Sequence, residues 1–516
     1  LPALLLVCSA AAVPADVRLP ALFADHMVLQ QKALVPLWGW ADPAERVTVT
    51  LTAPGGKVVQ AVSTLAGPKG SWRVTLHPIE AGGPYGLTVR GKNTVTRKDI
   101  LFGEVWVCSG QSNMQWPVSR SLNAEREIAA SDHPRLRLFT VARRVSIEEQ
   151  SDVKGKWAVC TPRAVPGFSA VGFYFGRELH RHLDVPVGLI HSSWGGTPAE
   201  AWTRRAALER HEIAAPILER YDRAVAGYAE ALKRHAARVK AWKVKAAAAR
   251  AEGKRPPWRP RKPYGPEHPH APSGLWGGMI APLTPFAIRG VIWYQGEANA
   301  PRAYQYRTLF PAMIKDWRDA WGQGDFPFLF VQLANFEPAR NRAAHGTWPE
   351  LREAQAEALR LPGTGMALAI DIGNPRDIHP RNKQEVGRRL ALQARVVAYG
   401  ERLVSCGPVF ERAKRKDTEL VLWFKNTGGG LVARGEKLEG FEIAGRDRKY
   451  HPAVARLSRG PVLRPVVVLS SSRVPEPLHV RYAWADNPRC NLYNEEGLPA
   501  APFRTDDWPG ITVDKR

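Results

Sequence analysis

The sequence predicts an α/β protein: a mainly parallel sheet wrapped by helices, carried between two β-modules. Three observations lead there. Residues 16–100 alternate apolar and polar in period two, as in VTVTLTA and WRVTLHP, with PGG, GPKG and AGGPYG as turns between the runs. Over 101–404 the strand-like runs VWVC (105–108), VGLIHSS (187–193), GVIWYQ (290–295), FPFLFVQLA (326–334) and GMALAID (365–371) alternate with helical stretches, the pattern of βα units and parallel strands. Residues 405–516 then return to short strands such as ELVLWF, VVVLS and HVRYAWA. A chain that is 44% hydrophobic and 24% charged can bury such cores, which excludes wholesale disorder. No internal run reaches the ~18 apolar residues of a membrane span.

Taken in order, residues 1–15 (LPALLLVCSAAAVPA) form an apolar run too short to span, ending in the small residue that a signal peptidase requires. This predicts export, to the periplasm or the medium. The bulky Val7 before Cys8 argues against a lipid anchor. After cleavage Cys108, Cys160, Cys406 and Cys490 remain, which allow three full pairings. No CxxC or Cys/His cluster suggests a structural metal, and no cofactor motif is present. Segment 204–275 is expected to be a basic helical insertion. Its 204–262 part holds 17 Lys/Arg against 6 Asp/Glu in a chain of net charge +24, and GKRPPWRPRKP stops the helix. Nucleic-acid binding is not expected, because no recognition motif accompanies the charge. A helix is predicted from Asn382, with Glu385 at capping-box distance, Val386, Leu390, Ala394 and Val397 on one face, and Gly400 as its stop.

Open parallel sheets place ligands at the carboxyl ends of their strands. After VWVC comes Ser109-Gly110-Gln111-Ser112-Asn113-Met114; after VGLIHSS comes Trp194-Gly195-Gly196-Thr197-Pro198-Ala199-Glu200. Gln295-Gly296-Glu297-Ala298-Asn299 follows GVIWY, and Asp371 and then Asp377-Ile378-His379-Pro380 follow GMALAI. A serine, glycine-rich backbone, amides and a histidine with carboxylates are the inventory for acyl transfer through a serine nucleophile. Ser112 would attack, and His379 would take its proton and return it to the leaving alcohol. Asp377, or alternatively Asp371, would orient the imidazole. The Ser112 N–H, with that of Gly195 or Gly196 and an amide from Gln295 or Asn299, would hold the oxyanion. In WGGTPAE, Thr197 as N-cap, Pro198 and Glu200 also read as a helix start.

With those residues in view, GQSNM, SSWGGTPAEAW, IWYQGEAN and DIHPRNKQEVG resemble the sialate O-acetylesterase family of the SGNH hydrolase superfamily. So do the entry LPALFADHMVLQ with VPLWGWADP and the exit VRYAWADNPRCNLYNEEGLPAAPFRTD, so that the resemblance covers roughly 17–510. It implies a flavodoxin-like three-layer core over 101–404 with β-domains at 16–100 and 405–516, and metal-free removal of O-acetyl groups from sugars. By position it makes Ser112 the nucleophile and His379 the base. The family's usual acid lies three residues before the histidine; here that position is Arg376, and Asp377 stands two before.

The expected partner is an O-acetylated sugar or polysaccharide; sialic acid and acetylated xylan are both open. Trp116, Trp194 and Tyr294, with Trp202, flank the loops and would stack on a sugar or build the pocket wall. Glu297 and Arg381 are further substrate-binding candidates. Arg376, Arg381 or the basic insertion could meet a sugar carboxylate.

Overall fold

A computed structural model describes residues 16–337, 346–460 and 464–516; the leader predicted over 1–15 lies outside them. Seven strands form the central path of the main sheet: β1 (Thr94–Gly110), β2 (His133–Thr140), β3 (Trp157–Cys160), β4 (Val187–Ser193), β5 (Gly290–Tyr294), β6 (Phe328–Val331) and β7 (Thr364–Ala367). Their spatial order is β7-β6-β5-β1-β4-β2-β3. Every pair is parallel except β2 with the edge strand β3. Strands buried on both faces read as continuous apolar runs rather than as alternations. This is so for VGLIHSS and GVIWY, which are buried throughout.

The helices that matter here are α1 (Ser112–Gln115), α2 (Ala170–Leu183), α3 (Tyr228–Ala251), α4 (Ala303–Trp321) and α5 (Lys383–Val397). Side-chain alternation along a strand assigns two of them to opposite faces of the sheet. Trp106 lies edge-on to Phe175 of α2, 5.0 Å between centroids. Trp293, in register with Ser109 on the other face of β1, packs on Phe310 and Trp317 of α4. The result is three layers. Helix α5 packs beside α2, where Gly387 leaves room that a Cβ would lose against Tyr174. Its start is as predicted: the Asn382 side chain accepts the Glu385 N–H.

The expected boundary at 100/101 falls inside one strand. β1 is 17 residues long; its first part pairs antiparallel with Gly82–Arg90 of the N-terminal module and its last part sits at the centre of the core sheet. The module and the core therefore share a strand rather than a linker. The C-terminal region forms two four-stranded sheets and a two-stranded one around Leu422, Phe424, Ile443, Val467 and Val480. Buried Arg352 joins it to the core by donating to the carbonyls of Leu333, Ala334, Ala485 and Asp486.

Within the basic segment α3 is exposed on nearly every side. The Pro-rich stretch after it folds back, and Trp242 Nε1 donates to the Pro257 carbonyl at 2.8 Å. The four cysteines at 108, 160, 406 and 490 are free thiols, so none of the three possible pairings forms. Among the described residues no helix is long and apolar enough to cross a membrane.

Candidate active site

Strands β2 to β4 lie on one side of β1 and β5 to β7 on the other. The order therefore reverses at β1, and a crevice opens beyond its carboxyl end. Register places Gly110 level with both Ser193 of β4 and Tyr294 of β5, so three loops leave the sheet at one height. Gly110 has φ +133°, and a Cβ there would collide with the Tyr294 carbonyl. Only glycine passes this point at low cost, and the chain turns sharply into α1. Ser112 is the first residue of α1, half-buried. Its N–H is one of the first-turn donors with no intrahelical partner, and no side chain caps it.

The histidine arrives from beyond β7. His379 Nδ1 lies 3.0 Å from Asp377 Oδ1, and the same carboxylate oxygen accepts the His379 backbone N–H at 2.9 Å. A carboxylate two residues upstream thus reaches the ring because the loop curls around it. Trp116, four residues after Ser112, stacks on the imidazole at 4.8 Å and 16°. Asn113 Nδ2 donates to the Ile378 carbonyl at 3.0 Å, which ties the serine loop to the histidine loop. Ser112 Oγ and His379 Nε2 make no hydrogen bond among the described residues, so both are free to meet a ligand. Burial lowers the His379 pKa below its ordinary value, and Asp377 opposes that shift.

Several predicted roles change. Asp371 is held by Arg389 through two hydrogen bonds of 2.7 and 2.8 Å and by the Tyr493 hydroxyl, so it is not the acid beside His379. The Gly195 N–H donates to Gln115 Oε1 at 2.8 Å and is not available to an oxyanion. Gly196, at φ +77° with open space around it, has an N–H without such a partner. Gln295 is fully buried; its amide donates to the Thr197 carbonyl and Asn299 Oδ1 and accepts from the Tyr306 hydroxyl. Asn299 accepts the Ala199 N–H and donates to Glu200. Both amides are consumed in holding the Gly195–Glu200 loop. The predicted cap at Thr197 is likewise replaced: its hydroxyl donates to the Trp194 carbonyl, and a 3₁₀ turn runs Ala199–Trp202 without a side-chain cap.

Of the substrate candidates, Trp116 and Trp194 are half-buried at the site, with the Arg143 guanidinium 5.5 Å from the Trp194 ring. Exposed Arg381 donates to the Arg120 carbonyl, the acceptor that also holds Trp116 Nε1. Tyr294 and Glu297 are buried, as is Trp202, and none of the three can face a sugar. Tyr294 and Glu297 belong instead to a floor that sequence reasoning missed. Asn113 donates to Glu297 Oε1 at 2.5 Å and accepts from Lys383 Nζ at 2.5 Å. Lys383 lies 5.2 Å from the Tyr294 ring centroid. Burial pushes the Lys383 amine down to about 7 and raises the Glu297 carboxyl. Gln111 completes the floor by accepting the Gly296 and Ala298 N–H groups. The only signal for Lys383 was its place at the start of an amphipathic helix, where a lysine reads as solvated.

The profile of a carbohydrate esterase family, the sialic acid-specific acetylesterases, matches residues 102–246 and 278–395. Sialate O-acetylesterase of Rattus norvegicus is 33% identical over 525 residues, covering 93% of this chain and 92% of its own length. The protein of that name from Homo sapiens is 31% identical over 533 residues, covering 94% and 92%. A solved carbohydrate acetylesterase from Xanthomonas citri is 38% identical with a TM-score of 0.80, over 96% of this chain and all of that one.

Proposed function

The chain belongs to the carbohydrate esterase family of sialic acid-specific acetylesterases, and from that premise we propose that it releases acetate from O-acetylated sugars through a covalent acetyl-enzyme on Ser112. It is an esterase of carbohydrate O-acetyl groups. The serine route rests on one observation above the rest: Asn113, next to Ser112, is bonded to the carbonyl next to His379, whose far ring nitrogen is on Asp377.

In this mechanism Asp377 keeps the proton on His379 Nδ1, which leaves Nε2 as an acceptor. Ser112 Oγ attacks the acetyl carbonyl carbon as Nε2 takes its proton. The oxyanion of the tetrahedral intermediate lies against the N–H groups of Ser112 and Gly196, each donor being worth roughly 3 kcal/mol in such a site. The carbon–oxygen bond to the sugar breaks, and His379 returns the proton to the sugar hydroxyl. Water then attacks the acetyl group with its proton passing to His379; Ser112 recovers that proton and acetate departs. The Ser112–His379 hydrogen bond forms when substrate closes the site, as such contacts tighten in the reacting complex. Export, on the strength of the leader at 1–15, is part of the same reading.

The test is acetate release from acetylated sugars by wild type and Ser112→Ala. Loss of turnover with an unchanged melting temperature supports the reading; wild-type turnover in the variant removes it.

A further inference from the structure

Pro117 disfavours helical backbone in the residue before it, so α1 ends at Trp116, which stands at φ −50° and ψ 120°. The chain leaves the helix there, and the indole lies on the histidine loop, stacked on the His379 ring with 4.8 Å between centroids and 16° between planes. Two hydrogen bonds fix Trp116. Its carbonyl accepts the Ala170 N–H at 2.8 Å, and its Nε1 donates to the Arg120 carbonyl at 3.0 Å. The residue is thus held both at its backbone and at the edge of its ring. One short segment supplies the nucleophile and the surface on which the base rests.

Such a stack matters most when the base is charged. In the serine route His379 Nε2 takes a proton from Ser112 Oγ in acylation and from water in deacylation, so an imidazolium forms twice in each turnover. Its surroundings hold little negative charge. Asp377 favours the charged ring, but it is half-exposed and screened by water, and Lys383 opposes it. Arg120, whose guanidinium lies 5.8 Å from the Trp116 ring, and Arg381, bonded to the Arg120 carbonyl, add two more cations. Glu297 is tied to Asn113, and burial raises it toward its neutral form. The face of an indole is negative, and a cation within about 6 Å of its centroid is stabilised there without a counter-charge. The His379 ring lies inside that distance.

We propose that Trp116 is a positioning residue for the base: it fixes the plane of the His379 ring, and its π face stabilises the imidazolium each time His379 takes a proton. This gives the indole a task in the reaction itself, distinct from the sugar-stacking or wall-building expected of it. The inference rests on the serine–histidine reading above and adds a residue to it.

The experiment replaces Trp116 by mono-, di- and trifluorotryptophan, which nearly keep the shape of the ring while draining negative charge from its face. kcat for acetate release should fall stepwise with each fluorine, to about 5- to 30-fold below wild type once the attraction is gone. KM should change little, and the rising limb of kcat/KM should move to lower pH, because the ring that loses its cation partner becomes a weaker base. Among ordinary variants, Trp116→Phe should keep more activity than Trp116→Leu, which has apolar bulk and no π face; the fluorinated series decides if the leucine variant does not fold. Both series are run on an acetylated sugar and on p-nitrophenyl acetate, and the loss should appear with both, since either ester needs the base. A kcat that stays flat across the fluorinated series, or a folded Trp116→Leu as active as Trp116→Phe, would overturn the proposal. So would a loss confined to KM for the sugar, which would make Trp116 a wall for the substrate. Ser112→Ala separates the two readings. If it abolishes turnover while the fluorinated series stays flat, the stacking role alone fails; if it turns over like wild type, the serine route fails and the stacking role with it.

Discussion

The rim and the floor of the site are built on opposite principles. On the rim, Ser112, His379 and Gly196 carry groups that no other described residue engages through a hydrogen bond, and Asp377 is half-exposed. Beneath them, Gln111, Asn113, Gln295, Asn299 and Lys383 are buried and bonded to one another or to backbone. The rim holds what a reacting ester must touch. The floor fixes where those groups stand, because a buried polar group without its partner is costly and the network has few other ways to satisfy itself. A residue type suited to catalysis is therefore not evidence of a catalytic role until its hydrogen bonds are accounted for.

Substitutions on the rim should remove activity and spare stability, and those on the floor should do the reverse. The largest expected effect is at His379. His379→Ala should lower kcat about a thousandfold or more, with little change in melting temperature, measured by acetate release and thermal unfolding. Next comes the acid. Asp377→Asn should cost about 10- to 100-fold in kcat, less than for a fully buried acid because solvent screens a half-exposed carboxylate. Asp371→Asn, which strips Arg389 of its buried partner, should instead cost about 3 kcal/mol of stability. The reverse pattern would return the role of acid to Asp371.

Gln295 sharpens the contrast from the other side. Gln295→Ala leaves the Thr197 carbonyl and the Tyr306 hydroxyl without this partner and takes from Asn299 Oδ1 one of its two donors. It should lower stability by about 2–4 kcal/mol and slow turnover less than the hundredfold or more that follows loss of an oxyanion donor. A stable variant with a hundredfold loss would put Gln295 on the rim. The smallest effect is in the pH profile. The base must be neutral, and burial lowers the His379 pKa. kcat/KM should therefore rise with pH along a limb centred below the ordinary imidazole value of about 6.5. Asp377 favours the charged ring, so Asp377→Asn should move that limb to still lower pH. A limb that moves upward would mean that Asp377 does not act on the imidazole.

How much of this could be read from the chain follows from the same contrast. The strands were legible because a sheet covered on both faces needs apolar runs, and VWVC, VGLIHSS and GVIWY fall in β1, β4 and β5. The runs at 326–334 and 365–371 overshoot, since their apolar residues continue past β6 and β7 into packed loops. Asn382 and Glu385 marked the start of α5 because that cap is local. Asp377 and His379 could be paired from two residues' separation. What could not be read is long-range polar pairing. Nothing near Gln295 in sequence announces Thr197 or Tyr306, and nothing near Lys383 announces Asn113, 270 residues away. The shared strand β1 was hidden for a related reason: a change from period two to a continuous apolar run looks like a domain boundary even when one strand crosses it.

The most direct measurement is covalent capture of the nucleophile. Wild type treated with an organophosphate such as diethyl p-nitrophenyl phosphate, digested and mapped by mass spectrometry, should carry one phosphoryl group, on Ser112, in step with loss of acetate release; His379→Ala should label far more slowly. Full inactivation with the group on another residue, or full activity retained with Ser112 labelled, would contradict the account.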